Sequence, residues 1–135
     1  MPHLVMLYTP QLDKVCDIGK LCRGLADAML SVRDEAGAQV FPTGGTRVLA
    51  YRTDHHAVTD GSGDHAFMYF NLRMARGRSA AVHKAVGEAL AAVVREQMAP
   101  VLAQHPVGLT LQVDEGPEVF DAKLGNLHPL FAKKP

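Results

Sequence analysis

The residues best suited to chemistry in this chain are a proline at the second position and two arginines in predicted loops. Loss of Met1 would make Pro2 an N-terminal secondary amine, a base whose pKa a folded site can tune. Arg47 ends a loop rich in proline and glycine. Arg78 lies between a strand and a helix start, where free N–H groups and the helix dipole favour an anion. Because a guanidinium can grip a carboxylate through two hydrogen bonds, we predict a proton-transfer site made of Pro2, Arg47 and Arg78.

Each of these residues also has an ordinary explanation. Many cytosolic proteins carry a small residue or proline at position two, and loop arginines are commonly just solvated. His55, His56 and His65 flank a polar turn, but their spacing matches no zinc or iron signature, so we predict no metal site. Cys16 and Cys22 are six residues apart on a predicted helix and do not share a face, which indicates two reduced structural thiols.

The amino-acid composition limits which classes of protein this chain can belong to. The 135 residues include 14 basic and 14 acidic side chains, and 47% are hydrophobic. This is typical of one globular domain, here residues 1–135, and the balanced charge points away from nucleic acid as a partner. No apolar run is long enough to span a bilayer, and no signal core follows the N-terminus. We therefore expect a cytoplasmic protein without a membrane or nucleic-acid partner.

The elements that must position these residues follow a repeated pattern. We predict strands over residues 3–9, 48–53, 66–74 and 109–114, and helices over residues 12–32 and 80–98. The first strand is expected to be buried on both faces. Ser79 is the predicted N-cap of the second helix, and Pro100 is expected to kink or end that helix near Met98. Arg73 and Arg76 are expected to form a solvated cluster around Arg78, with a second role left open for either, the attraction of an anion.

The element order is β-α-β twice, which predicts an α+β fold. The simplest arrangement is a four-stranded mixed sheet with both helices on one face. The opposite face would remain partly apolar, and this predicts a subunit that covers it. The tail over residues 121–131 is expected to be irregular or a short helix.

Several short motifs in register resemble the tautomerase superfamily, and within it the 5-carboxymethyl-2-hydroxymuconate isomerase family. The order and spacing hold over most of the chain from residue 41 onward, whereas the first helix fits only in outline. The matching stretches are Pro2-His3, then Phe41-Pro42 with Gly45 and Arg47, then Asp60-Gly61 with Asp64, Ala66 and Phe67, then Gly77-Arg78-Ser79, and finally residues 126–131.

The resemblance implies a β-α-β homotrimer with sites near subunit boundaries. It implies that Pro2 shuttles a proton while Arg47 and Arg78 bind the carboxylates and carbonyl of a dicarboxylate or tricarboxylate substrate. The reaction would move a double bond in a 2-hydroxymuconate-type dienol, in aromatic catabolism, without a metal or organic cofactor.

The first strand departs from the family pattern, with Leu7 in place of the usual glutamate and Tyr8 in place of cysteine. If Leu4, Leu7 and Phe67 form apolar walls around Pro2, they would lower the pKa of its amine. Two alternatives stay open: a different superfamily reaction, such as decarboxylation or hydration of an unsaturated acid, and a non-catalytic sensor of small acids.

Overall fold

A computed structural model describes residues 2–131 of the chain. Its regular elements comprise four strands and two helices, with three short 3₁₀ turns at residues 10–14, 43–45 and 128–131. In chain order the elements are β1 (His3–Tyr8), α1 (Ile18–Ser31), β2 (Val48–Arg52), β3 (Ala66–Met74), α2 (Ala80–Leu102) and β4 (Val107–Glu115).

The four strands form one mixed sheet in the order β2-β1-β3-β4. β1 pairs with β2 in parallel and β3 pairs with β4 in parallel, while the central β1–β3 pair is antiparallel. Each parallel pair is joined by a helix, as such pairs require. The predicted α+β fold, with β-α-β repeated twice, is therefore confirmed.

The two helices cover one face of the sheet. Alternate residues on that face, including Leu4, Met6, Phe70 and Leu72, are completely buried and share one hydrophobic core with the helices. The other face is open in the protomer, where β1 leaves Leu7 42% exposed. The prediction that β1 is buried on both faces is therefore wrong for the protomer, because in the described residues neither helix covers the second face at Leu7.

Side-chain caps fix where the two helices begin. The carboxylate of Asp17 accepts a hydrogen bond from the backbone N–H of Lys20 at 3.0 Å. The hydroxyl of Ser79 accepts one from Val82 N–H at 3.2 Å, as predicted. The first helix begins at Ile18 instead of the predicted residue 12, because the preceding residues form a separate 3₁₀ turn.

The second helix runs past its internal proline. Pro100 was predicted to kink or end the helix near Met98, yet α2 continues to Leu102. The predicted end near Met98 is wrong because Pro100 is exposed and lies in the last turn, where its missing N–H removes only one backbone hydrogen bond near a terminus, and the predicted kink stays a prediction. Within residues 2–131 neither helix combines the length and apolar character needed to cross a membrane.

Candidate active site

Pro2 immediately precedes the central strand β1, at one end of the sheet, and is buried. The backbone N–H of Leu4 donates to the carbonyl oxygen of Arg47 at 3.2 Å, and Leu4 pairs with Val48 in the parallel ladder. This pairing places Arg47 beside the residue that follows Pro2. Two of the three predicted site residues, Pro2 and Arg47, therefore lie at the same end of the sheet.

His3 and Arg73 complete this end of the sheet, although the sequence had predicted His3 only as part of the Pro2-His3 motif and Arg73 only as part of a solvated cluster. His3 pairs directly with Arg73 across the β1–β3 ladder, and both point to the open face because their neighbours Leu4 and Leu72 face the core. Burial and the positive charge of Arg47 lower the pKa of His3 below its usual 6.5, with a smaller contribution from Arg73. His3 therefore favours its neutral form.

A cavity of about 730 Å³ opens beside Arg47. One wall is the sheet edge, with His3 and Arg47, and another is the loop with Gly44 and Thr46. The remaining wall is formed by the C-terminal tail, defined here as residues 116–131. The tail residues that line the cavity are Asp121, Ala122, Lys123, Leu124, Gly125, Leu127, His128 and Pro129. The volume is in the range of small-molecule sites.

Two arginines hold the tail against the end of β3. Arg73 forms an ion pair with Glu118 at 2.8 Å. Arg76 donates to the carbonyl oxygen of Gly116 at 2.8 Å and to that of Glu118 at 3.2 Å. The expectation of a solvated cluster around Arg78 is therefore wrong for Arg73 and Arg76. Their partners lie some forty residues further along the chain, beyond the reach of local sequence patterns.

Arg78 lies just before the second helix, as predicted, but in a different hollow from Arg47. Its guanidinium donates to the carbonyl oxygen of Val40 at 3.0 Å and lies 3.7 Å from the carboxylate of Asp34. The hollow around it is lined by residues 34–36, 77–79 and 82, and it shares no residue with the Arg47 cavity. One protomer therefore does not gather both predicted arginines into one cavity.

Pro2 nevertheless lies between the elements that carry these arginines. Since His3 pairs with Arg73, one further step of the antiparallel register sets Pro2 opposite Met74, four residues before Arg78. Met74 is buried. Along this register Pro2 therefore lies between Arg47, which precedes β2, and Met74, which ends β3. Met1 lies outside the described residues.

The predicted apolar walls around Pro2 are only partly correct. Leu4 is near and fully buried. Leu7 pairs with Tyr69 and lies five residues from Pro2, about 16 Å along an extended strand. Phe67 is at the same distant end, where its carbonyl oxygen accepts from Thr9 N–H at 3.0 Å. Leu7 and Phe67 therefore do not surround Pro2.

Comparison with known proteins identifies the family of this chain. The family model for 5-carboxymethyl-2-hydroxymuconate isomerase matches residues 2–131. The chain belongs to that family. Its four-stranded sheet with two helices has the tautomerase-superfamily fold, as predicted, and the protein is an isomerase.

The relatives match over nearly the whole chain. A solved 5-carboxymethyl-2-hydroxymuconate delta-isomerase is 58% identical, with a TM-score of 0.95, over 100% of this chain and 95% of the other. A 5-carboxymethyl-2-hydroxymuconate isomerase from Deinococcus radiodurans R1 is 34% identical, with a TM-score of 0.85, over 98% and 95%. The Escherichia coli 5-carboxymethyl-2-hydroxymuconate Delta-isomerase is 23% identical over 97% of this chain and 99% of its own.

Proposed function

We propose that this isomerase converts 5-carboxymethyl-2-hydroxymuconate, or a close 2-hydroxydienoate, into its unsaturated 2-oxo isomer through the amine of Pro2. The substrate class follows the names of its relatives. The observation that best supports the mechanism is the position of buried Pro2 at the end of β1, directly before His3, which lines the same cavity as Arg47.

A free Pro2 amine would be a suitable base in this setting. An ordinary α-amine titrates near pH ~8 and is mostly protonated at neutral pH. Burial disfavours the ammonium form, and so do the positive charges of Arg47 and Arg73 close by. Both effects lower the pKa of the amine toward the working pH, where acid–base catalysis is most effective.

The proposed reaction transfers one proton and moves two double bonds. Pro2 takes the proton of the 2-hydroxyl group, and the carbonyl at C2 forms as the C2=C3 electrons shift to C3=C4. The electrons of C4=C5 then take the proton from the prolinium at C5. Pro2 is regenerated, nothing is oxidised or reduced, and the atoms balance without a cofactor.

Arg47 and Arg78 would bind the anionic ends of the substrate. A guanidinium that faces the C1 carboxylate and the C2 oxygen stabilises negative charge as the dienolate forms, an effect often worth about 2.7–4 kcal/mol per donor. Arg78 is already oriented by Val40 and Asp34, and a substrate carboxylate can compete with Asp34 for the same N–H groups. Its hollow is separate from the Arg47 cavity in one protomer, so the substrate would extend past Pro2 between them.

We also propose that the functional unit is a homotrimer. The open sheet face leaves Leu49 and Tyr51 44% and 53% exposed, and the tail exposes Phe120 and Leu124 by 83% and 93%. Apolar exposure of this extent is typical of an interface. Light scattering is expected to give three times the chain mass of 14.6 kDa. A monomer at micromolar concentration would contradict this part of the proposal.

The test of the reaction is ketonisation of the 2-hydroxydienoate in D₂O, followed by ultraviolet absorbance and proton NMR. Deuterium is expected at C5 of the product, and Pro2→Ala is expected to reduce kcat by about 10²–10⁴-fold, the range of general acid–base catalysis. The Pro2→Ala protein should keep the wild-type oligomer. Undiminished turnover by this variant would remove the proline mechanism.

The same assay separates the two alternatives. Decarboxylation would release CO₂, and hydration would add the mass of water to the acid. A sensor would bind the acid without changing it and would be indifferent to Pro2→Ala.

A further inference from the structure

We propose that Lys123, on the C-terminal tail, determines specificity by binding the carboxymethyl carboxylate of the substrate. This rests on the proposed function, which supplies a molecule with three carboxylates. Arg47 and Arg78 account for two anionic ends. The third needs another cation, and within residues 2–131 the lysine that lines the Arg47 cavity is Lys123.

The wall that carries Lys123 is held in place at both ends. On one side Arg73 and Arg76 bind Glu118. On the other side His128 packs against Gly44 so closely that a Cβ on Gly44 would lie 2.7 Å from the His128 Cα. Lys123 lies between these two attachments. The tail therefore presents its ammonium group as a defined part of the cavity.

The local charges suit an exchangeable anion site. Lys123 Nζ lies 2.8 Å from the carboxylate of Asp121, and the two side chains are 50% and 45% exposed. The hydrogen bond from Lys123 lowers the pKa of Asp121, so this carboxylate is ionised at neutral pH. An exposed pair of this kind is weak. A substrate carboxylate can therefore replace Asp121 at the ammonium, while Asp121 turns to solvent.

This arrangement gives the tail a role in binding the part of the substrate that does not react. Under the proposed reaction the reacting atoms belong near Pro2 and Arg47, at the end of the sheet, whereas Lys123 belongs to the tail part of the cavity lining. A contact with Lys123 is therefore made to a part of the substrate that does not react. Such a contact should affect binding of the carboxymethyl arm far more than the proton transfer itself.

The experiment compares two substrates that differ only in this arm: 5-carboxymethyl-2-hydroxymuconate and 2-hydroxymuconate. Lys123→Met keeps the length of the side chain but removes its charge. We expect it to raise KM for the tricarboxylate by about tenfold or more, as for a lost charge-assisted hydrogen bond. We expect kcat for the tricarboxylate and both constants for 2-hydroxymuconate to stay within about twofold. Lys123→Arg should restore most of the loss.

Lys84→Met is the matched control, since Lys84 is an exposed lysine on α2 that pairs with Glu88 at 3.8 Å. It should leave both substrates unaffected. An equal loss on both substrates with Lys123→Met would show that Lys123 only supports the tail, and no loss on either would also overturn the proposal.

A binding measurement separates this inference from the proposed reaction. Titration calorimetry with propane-1,2,3-tricarboxylate and with glutarate needs no turnover. Weaker binding of the tricarboxylate alone to Lys123→Met is expected, even if wild-type protein turned over neither dienol. Unchanged binding of both acids would contradict the role of Lys123, whatever the reaction proves to be.

Discussion

The guanidinium of Arg78 donates to the backbone carbonyl oxygen of Val40 at 3.0 Å. Val40 belongs to the connection between α1 and β2, whereas Arg78 precedes α2, so the contact joins the two β-α-β halves. It fixes the orientation of the side chain at a helix start, where an anion is favoured. The contact therefore gives Arg78 both a structural and a binding role that can be separated by substitution.

Replacement of Arg78 should affect catalysis more than stability. Arg78→Ala is expected to lower kcat/KM by about 10²–10³-fold, the effect of removing one donor from a developing oxyanion. Arg78→Lys should be intermediate, because a lysine keeps the charge but loses the forked geometry. The free energy of unfolding should fall by about 1.5–3 kcal/mol, the loss of one hydrogen bond from a charged group, here the bond to Val40. Arg95→Ala, on the exposed side of α2, is the control, and equal activities for Arg78→Ala and Arg95→Ala would contradict the assignment.

Arg47 and Arg52 lie at opposite ends of the second strand and form a matched pair. Arg47 lines the cavity, whereas Arg52 is exposed and lies 3.4 Å from Asp13. We expect Arg47→Ala to reduce kcat/KM by at least about 10²-fold and Arg52→Ala to retain near wild-type kinetics. Steady-state assays of both variants at one ionic strength decide the matter. Similar losses in the two would indicate a general electrostatic effect of net charge.

The contact between Gly44 and the tail predicts a steric effect on the cavity. A methyl group at Gly44 would meet the backbone of His128 at 2.7 Å, and a backbone cannot move aside as a flexible side chain can. Gly44→Ala should therefore displace the tail, increase its amide hydrogen exchange and raise KM. Gly87→Ala is the control, because a Cβ added at Gly87 would meet no atom within 4 Å outside its own stretch of helix. In the middle of α2, alanine should stabilise the protein by about 0.5–1 kcal/mol. Wild-type exchange in the tail of Gly44→Ala would refute the packing.

The lowered pKa of His3 predicts how stability depends on pH. Burial and the Arg47 charge place this pKa below 6.5 in the folded protein, so the unfolded chain takes up the proton first as the pH falls. As the pH falls from about 6.5 to the folded pKa, the folded state therefore loses stability. Above about pH 6.5 His3 is neutral in both states and causes no such loss. His3→Gln should show a shallower fall in melting temperature between pH 7.5 and 5. Parallel curves for the two proteins would contradict this.

Local sequence patterns predicted the helices and strands well, but they predicted the contacts between residues distant in the sequence poorly. Ser79 was identified as a cap because the Ser–Val82 contact spans three residues. Arg73 was misassigned because its partner Glu118 is 45 residues away. Leu7 was placed beside Pro2 because the two residues are only five apart in the sequence. The extended strand separates them, since each residue advances by about 3.3 Å.

In the candidate site, too, the sequence predicted some residues and could not predict their distant neighbours. The positions of Pro2, Arg47 and Arg78 were legible from motifs, and these roles remain predictions. The contribution of the tail could not be predicted, because the cavity wall with Lys123 and His128 exists only once the chain folds back to Gly44. The sequence could have identified His3 as a neighbour of the site. It directly follows Pro2, at the start of the predicted first strand.

The most direct test of the account is the activity of one preparation before and after the nitrogen of Pro2 is freed. The protein is made as an N-terminal fusion, in which that nitrogen is an amide without basicity, and the fusion partner is then removed to leave Pro2 at the terminus, with intact mass to confirm both states. We predict that ketonisation is near background before removal and rises by at least about 10²-fold afterwards. Equal activity in the two states, with the oligomer unchanged, would contradict the central claim that the amine of Pro2 carries the proton.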